Sequence, residues 1–444
     1  MKKTFRFLSM ATILVVSAIM TGCSSDDNID NPQQPANKDN VVTLTATVSL
    51  DGAAGTRAIN PTSGVKTFES TNKIAVFYED GDEKIQKAES GALTLSADKK
   101  KATFTVTLSN PKSGGDFRYV YPSTMAKDLD ATPPAYPAYV DASLEDLTID
   151  YSGILGSQDG TLETIGTKYD LAVYDGSLVV TELPEGAPMG NPLAICKFSL
   201  TDGTSPITSS VNKLTVSDGT NTYAVTPSSS LTAIYVAMKP VADKKIAFTA
   251  RTTDSKTYFK TTGAERTLND GYLYTNITVG MKKLAVGNVI GYDGDIYASK
   301  TAAGSQAAAV IVYLGSNTDN ETFKNGLAIA LADEGSMKWS PAKSTCEGKT
   351  AITGAKWCLP SQDQWKQMFK ANGDNDASYT GLNTTITTAG GTTLQEGVSY
   401  WSSSESNPVD DAYYGVNLNG SNASASWSND YEGSLNRVRA CLAF

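Results

Sequence analysis

From Val42 to Leu50 the chain alternates apolar and polar residues without a break. Val42, Leu44, Ala46, Val48 and Leu50 fall on one side; Thr43, Thr45, Thr47 and Ser49 fall on the other. A period of two marks a strand with one buried face. Shorter runs of the same kind recur at 73–78, 102–108, 117–121, 193–200, 213–216, 222–225, 233–238, 245–250 and 273–279, with Gly, Asn, Asp, Pro and Ser between them. Long helical periodicity is absent from residues 60–282. The expected fold class is therefore mainly β, with two tandem β-sandwich modules rather than an alternating α/β chain. The Pro- and Gly-rich stretch 183–192 is the best linker, which places the modules at 41–188 and 189–282.

Residues 283–444 have a different texture and read as a small α+β domain. Val286 to Tyr297 predicts a hairpin around Asp293-Gly294. Apolar strands are expected at 308–314 and 326–332. A helix follows: Ser361 is its N-cap, Gln364 stands at capping-box spacing, Trp365, Met368 and Phe369 share one face, and Asn372-Gly373 ends it.

The 444-residue chain contains no histidine. That excludes a Ser-His-Asp triad, a Cys-His dyad and every His-ligated metal or haem. With 37 basic and 47 acidic residues the net charge is −10, the wrong sign for a nucleic-acid surface. No nucleic-acid partner is expected.

Residues 1–22 have the form of a signal peptide. Lys2, Lys3 and Arg6 make the charged start, and an apolar stretch too short for a membrane span follows. It ends in Met20-Thr21-Gly22-Cys23, which resembles a bacterial lipobox and implies acylation at Cys23. Residues 23–40 are a Ser-, Asn-, Asp- and Pro-rich tether. Such a chain is carried outside the inner membrane, where disulfides persist.

After the alternating strand comes Asp51-Gly52-Ala53-Ala54-Gly55-Thr56-Arg57-Ala58, a small-residue loop of the kind proteases nick. Taken alone, Arg57 is an ordinary loop arginine. Thr56-Arg57-Ala58-Ile59 followed by Asn72-Lys73-Ile74-Ala75-Val76-Phe77-Tyr78 resembles the N-terminal region of the fimbrillin family, bacterial pilus subunits exported as lipoproteins. The resemblance implies cutting between Arg57 and Ala58, loss of 41–57 as a removable strand with its loop, and entry of a strand from another fimbrillin subunit. An outer-membrane attachment through the Cys23 lipid would precede the cut. Loss of the leader's Lys2, Lys3 and Arg6 takes the net charge from −10 to −13, and loss of residues 23–57, with five Asp and two basic residues, returns it to −10, so the scheme rests on strand pairing rather than charge.

Three fragments of the last domain occur in a telling order: Trp357-Cys358-Leu359-Pro360-Ser361, Tyr400-Trp401-Ser402-Ser403-Ser404-Glu405 and Asn436-Arg437-Val438-Arg439-Ala440-Cys441. Together they resemble bacterial C-type-lectin-like domains. The resemblance implies a disulfide tying the helix region to the last strand, with Cys358–Cys441 preferred, Cys346 then free, and Cys346–Cys441 left open. Cys196 reads as a buried core thiol. Trp427-Ser428-Asn429-Asp430 looks like a stretched form of the lectins' calcium segment, with Glu405, Asn407, Asp410 and Asp411 near in sequence. Calcium takes six to eight oxygens. The plainer reading of these residues is solvated turn carboxylates, with the aromatics filling the core. No cofactor is otherwise expected.

The expected role is a non-catalytic subunit of a cell-surface fimbrium, at its tip, with residues 283–444 facing an extracellular glycan or protein. The last strand, Val438 to Phe444, is a poor donor if it is folded into that domain. Two other readings stand beside it. One is an uncut anchor or surface lipoprotein that binds polysaccharide. The other is a glycosidase using Glu405 and Asp430, a pair that nothing in the sequence places at a useful separation.

Overall fold

The computed structural model describes residues 40–50, 67–127, 139–141, 148–156, 158–177, 186–374, 378–407, 411–419 and 424–444. The chain from Val41 to Phe444 forms one compact unit. It is mainly β, as the alternating runs predict.

The first module has two sheets. One contains β1 (Val41–Ser49), β4 (Thr94–Leu95), β5 (Lys101–Ser109) and β8 (Ala187–Pro188), in the order β8-β1-β5-β4. The other contains β2 (Ala75–Glu79), β3 (Ile85–Glu89), β6 (Asp116–Tyr121) and β7 (Ala172–Ser177), in the order β3-β2-β6-β7. Leu44, Ala46, Val48, Phe104 and Val106 from the first sheet meet Val76, Tyr78, Phe117 and Tyr119 from the second. This is the expected sandwich, with period-two side chains from each sheet filling the space between them.

The second module winds one continuous sheet around a core. β9 (Ala194–Asp202) lies between β12 (Ile234–Met238) and β15 (Leu273–Lys283). β15 meets β14 (Thr257–Thr261) at its end, followed by β13 (Ala247–Thr252), β10 (Val211–Ser217) and β11 (Thr222–Val225). Ile154, Ile165 and Tyr169, all upstream of residue 189, are buried in this same core.

The third module carries two sheets. β16 (Val289–Gly291), β17 (Ala307–Leu314), β18 (Gly326–Ala330), β20 (Lys356–Cys358) and β25 (Cys441–Ala443) make one, in which β25 lies between β18 and β20. β19 (Gly335–Met337), β21 (Val398–Asn407), β22 (Ala412–Asn419), β23 (Ser424–Tyr431) and β24 (Asn436–Val438) make the other, in the order β19-β24-β21-β22-β23. Helix α2 (Gln362–Ala371) starts on the anticipated capping box, with both reciprocal bonds of Ser361 and Gln364 present. Its Trp365, Met368 and Phe369 pack with Leu382 and Ile386 of α3 (Thr380–Thr388) on one face of the first sheet. The other face packs against α1 (Trp339–Glu347) and against Ala247 and Phe259 of the second module.

Candidate functional site: an inserted first strand and a closed last one

β1 is paired with β5 through nine consecutive residues, from Val41↔Ser109 to Ser49↔Lys101. On its other side β8 runs parallel at Val48 and Ser49. Gly186 N–H donates to Thr47 C=O at 2.6 Å, and Met189 N–H donates to Ser49 C=O at 2.8 Å. The inward row is Leu44, Ala46, Val48 and, just beyond the strand, Leu50, all buried. On the outward row, the Thr43 and Thr47 hydroxyls are bonded to those of Thr107 and Thr103, each at 3.0 Å.

The energies show what this placement means. Burying a Leu or Val side chain contributes about 1.5–3 kcal/mol. Leu44, Val48 and Leu50 together therefore contribute on the order of 5–9 kcal/mol. A whole domain is commonly stable by only about 5–15 kcal/mol. Loss of β1 without a replacement would remove much of the margin and leave the inner edge of β5 unpaired. Cys23, Arg57 and Ala58 lie outside the described residues, as does Asp410.

The last strand is the reverse case. β25 is hydrogen-bonded on both sides, to β18 and to β20. Phe444 is fully buried. Its N–H donates to Gly326 C=O at 3.1 Å, and its carbonyl accepts from Asn325 N–H at 2.8 Å. The ring lies over Gly326, where any Cβ would collide with it, and meets Phe259 of the second module at 6.4 Å, edge to face.

The cysteines divide by face. Cys358 and Cys441 are directly paired across β20 and β25. Both belong to the core on the α2 side, whereas Cys346, on α1, is buried in the core of the opposite face. All carry free thiols here. The Cys358 Sγ lies 3.5 Å from Gln364 Oε1 and 3.7 Å from the Cys441 carbonyl. A hydrogen bond from the Cys441 thiol lowers the Cys358 pKa. Cys196 is buried in the second core, and burial alone pushes its thiol up to about 12.

Among the described residues, the proposed ligand residues of the third module do not converge. β21, β22 and β23 put Glu405, Tyr413 and Asp430 in one row across three strands, so Glu405 and Asp430 are two strand spacings apart, roughly 9–10 Å between backbones. Asp430 Oδ2 accepts from Ser428 Oγ at 2.9 Å and from Asn436 Nδ2 at 2.8 Å. The carboxylate lies across Gly415, the one residue type that leaves it room. Asn429 is exposed and pairs with Tyr414. Successive strand residues face opposite ways, so Asn429 and Asp430 cannot serve one ion from the same face. Trp427 packs partly into the α2-side core, with Lys366 Nζ 5.4 Å from its ring. Asn407 pairs with Ala412 at the end of β21, and the Asp411 carbonyl accepts from Glu432 N–H at 3.0 Å. Among the described residues, no three His, Cys, Asp or Glu side chains gather as metal ligands.

Two features of this module escaped the sequence. Trp339 stacks on Tyr413 at 3.7 Å and 14°, with its Nε1–H on the Ser402 carbonyl at 2.9 Å. Burial, and then the carboxylates of Glu405, Glu432 and Asp411, raise the Tyr413 hydroxyl pKa. Arg439 is wholly buried with every N–H engaged. Nε meets Asp333 Oδ1 at 2.6 Å, Nη1 meets the carbonyls of Ala330 and Thr392, and Nη2 those of Thr392 and Thr393. Tyr400 Oη donates to the other Asp333 oxygen at 2.9 Å.

No family model and no curated protein matches this chain. Among solved structures it is similar to a proposed cell adhesion protein from Bacteroides fragilis, at 11% identity and a TM-score of 0.28, over 54% of this chain and 92% of that one. It is also similar to one from Bacteroides ovatus, at 10% identity and a TM-score of 0.29, over 56% and 96%. A third, from Parabacteroides distasonis, has 9% identity and a TM-score of 0.23, over 55% and 94%.

Proposed function

We propose that this chain is a strand-accepting, adhesive subunit of a bacterial surface fibre. It is exported, acylated at Cys23 and held at the outer membrane. A cut between Arg57 and Ala58 then frees β1 from the rest of the chain. A strand from another fimbrillin-type subunit takes its place by β-augmentation. Residues 283–444 face outward and bind an extracellular glycan or protein, without catalysis.

The observation that carries this reading is the position of β1. It is joined to the rest of its sheet by hydrogen bonds and apolar contacts, and in the sequence it runs straight into the Arg57 loop. An extended segment from elsewhere can reproduce both kinds of contact. β25 has both edges occupied within the third module, so this strand is not itself free for donation.

The test is the N-terminus of protein recovered from sheared surface fibres. Ala58 is the expected first residue. An acylated Cys23 on fibre-borne protein would favour the uncut anchor instead. Arg57→Ala should leave a folded, lipidated monomer outside the fibre; its incorporation would overturn the scheme.

A further inference from the structure

The inference that follows rests on the reading above, that β1 leaves and another strand enters. We infer that the vacated track selects its occupant by side-chain size, and that Phe104 is the selecting residue. Along the track β5 presents Val106, Phe104 and Ala102, all buried. β1 answers in register with Leu44, Ala46 and Val48. The volumes compensate: the smallest side chain of β1 lies against the largest of β5, and a branched one lies against alanine.

Phe104 has no room to yield. Its ring meets Tyr119 edge-on at 5.5 Å, and Tyr119 meets Phe117 at 5.0 Å. All three rings are buried, and Ala46 itself is 1% exposed. A longer side chain at that point has to displace a packed aromatic cluster, and close-packed interiors resist this. The outward face adds a second condition, because the Thr107 and Thr103 hydroxyls each hold a hydroxyl partner from β1. The partner is thus an extended segment with an Ala-sized residue opposite Phe104, bulkier apolar residues two positions to either side, and Ser or Thr three positions before and one position after the Ala-sized residue.

The experiment uses the chain trimmed after Arg57 and two synthetic peptides. One copies residues 41–50; the other carries Ala46→Leu. The copy should bind, the Ala46→Leu peptide should bind at least about tenfold more weakly, and Phe104→Ala in the chain should restore it. Equal binding of the two peptides would overturn the size rule and leave strand replacement standing. Failure of the copy to bind a trimmed chain that keeps its β circular-dichroism signal would overturn strand replacement itself. If the trimmed chain unfolds, the uncut chain reads the same rule. Ala46→Leu and Phe104→Ala should each lower the melting temperature, and together lower it by less than their sum. Additive effects would overturn the rule.

Discussion

Cys358 and Cys441 stand directly opposite each other on antiparallel strands, with both side chains in the core on the same face of the sheet. Paired Cα atoms in an antiparallel sheet are about 4.5–5.5 Å apart, inside the window a disulfide requires. Cys346 lies on the other face, which disfavours the Cys346–Cys441 alternative.

Exported protein should therefore carry a Cys358–Cys441 bond. The two thiols give up two protons and two electrons to a disulfide-exchanging oxidant of the cell envelope. Non-reducing peptide mapping should find the 358–441 link, with Cys346 alkylated only after unfolding. Reduction should cost about 2–4 kcal/mol of stability. A 346–441 link would contradict this arrangement.

Arg439 and Asp333 form a buried pair in which each depends on the other. Asp333→Asn leaves an uncompensated guanidinium among carbonyls and should destabilise the third module by about 3–5 kcal/mol. Arg439→Lys keeps the charge but not the five-donor fork, and should also lose stability. Denaturant unfolding of the full chain measures both. An unchanged midpoint for Asp333→Asn would show the pair to be dispensable.

Asp80 gives the first module an acid-sensitive point. Burial opposes ionisation, but the N–H groups of Lys84 and Asp82 and the Gln86 amide outweigh it and lower the carboxyl pKa. A lowered folded-state pKa contributes stability that is present above the unfolded carboxyl value of about 4 and is lost as pH falls through the folded value. Wild-type stability should thus fall with acidification below about pH 4 more steeply than that of Asp80→Asn. Melting temperatures from pH 2 to 7 would reveal it, and parallel curves would count against it.

Ser361→Ala removes the hydroxyl that accepts from Gln364 N–H at 3.1 Å. The cost should be about 1 kcal/mol. Gln364→Ala should cost more, because that side chain also accepts from Ser361 N–H and donates to the Thr318 carbonyl at 2.8 Å. Equal losses would mean that the Thr318 bond contributes nothing.

Local patterns carried the fold a long way. The alternation of 42–50 named both faces of β1, and Ser361 with Gln364 fixed the start of α2, because those signals lie within one strand or one helical turn. Asp293-Gly294 likewise marked its hairpin. The rest depended on partners far away along the chain. Alternation alone puts Arg439 on a polar face, yet it is buried, because Asp333 reaches it from 106 residues upstream. Asp430 reads in the sequence as a solvated turn carboxylate, yet β24 brings Asn436 to it. The packing of Ile154 and Tyr169 into the second core leaves no trace in their own neighbourhood. Of the candidate site, the two faces of β1 were legible and the Phe104 step was not, since register decides which residue faces Ala46.

The seating of Phe444 bears on mechanical load. With its backbone stitched to Gly326 and Asn325 and its ring keyed against Phe259, Phe444 is a fixed point between the second and third modules. Freeing the end of β25 therefore requires breaking its pairing with both β18 and β20 and withdrawing a buried ring from the second module.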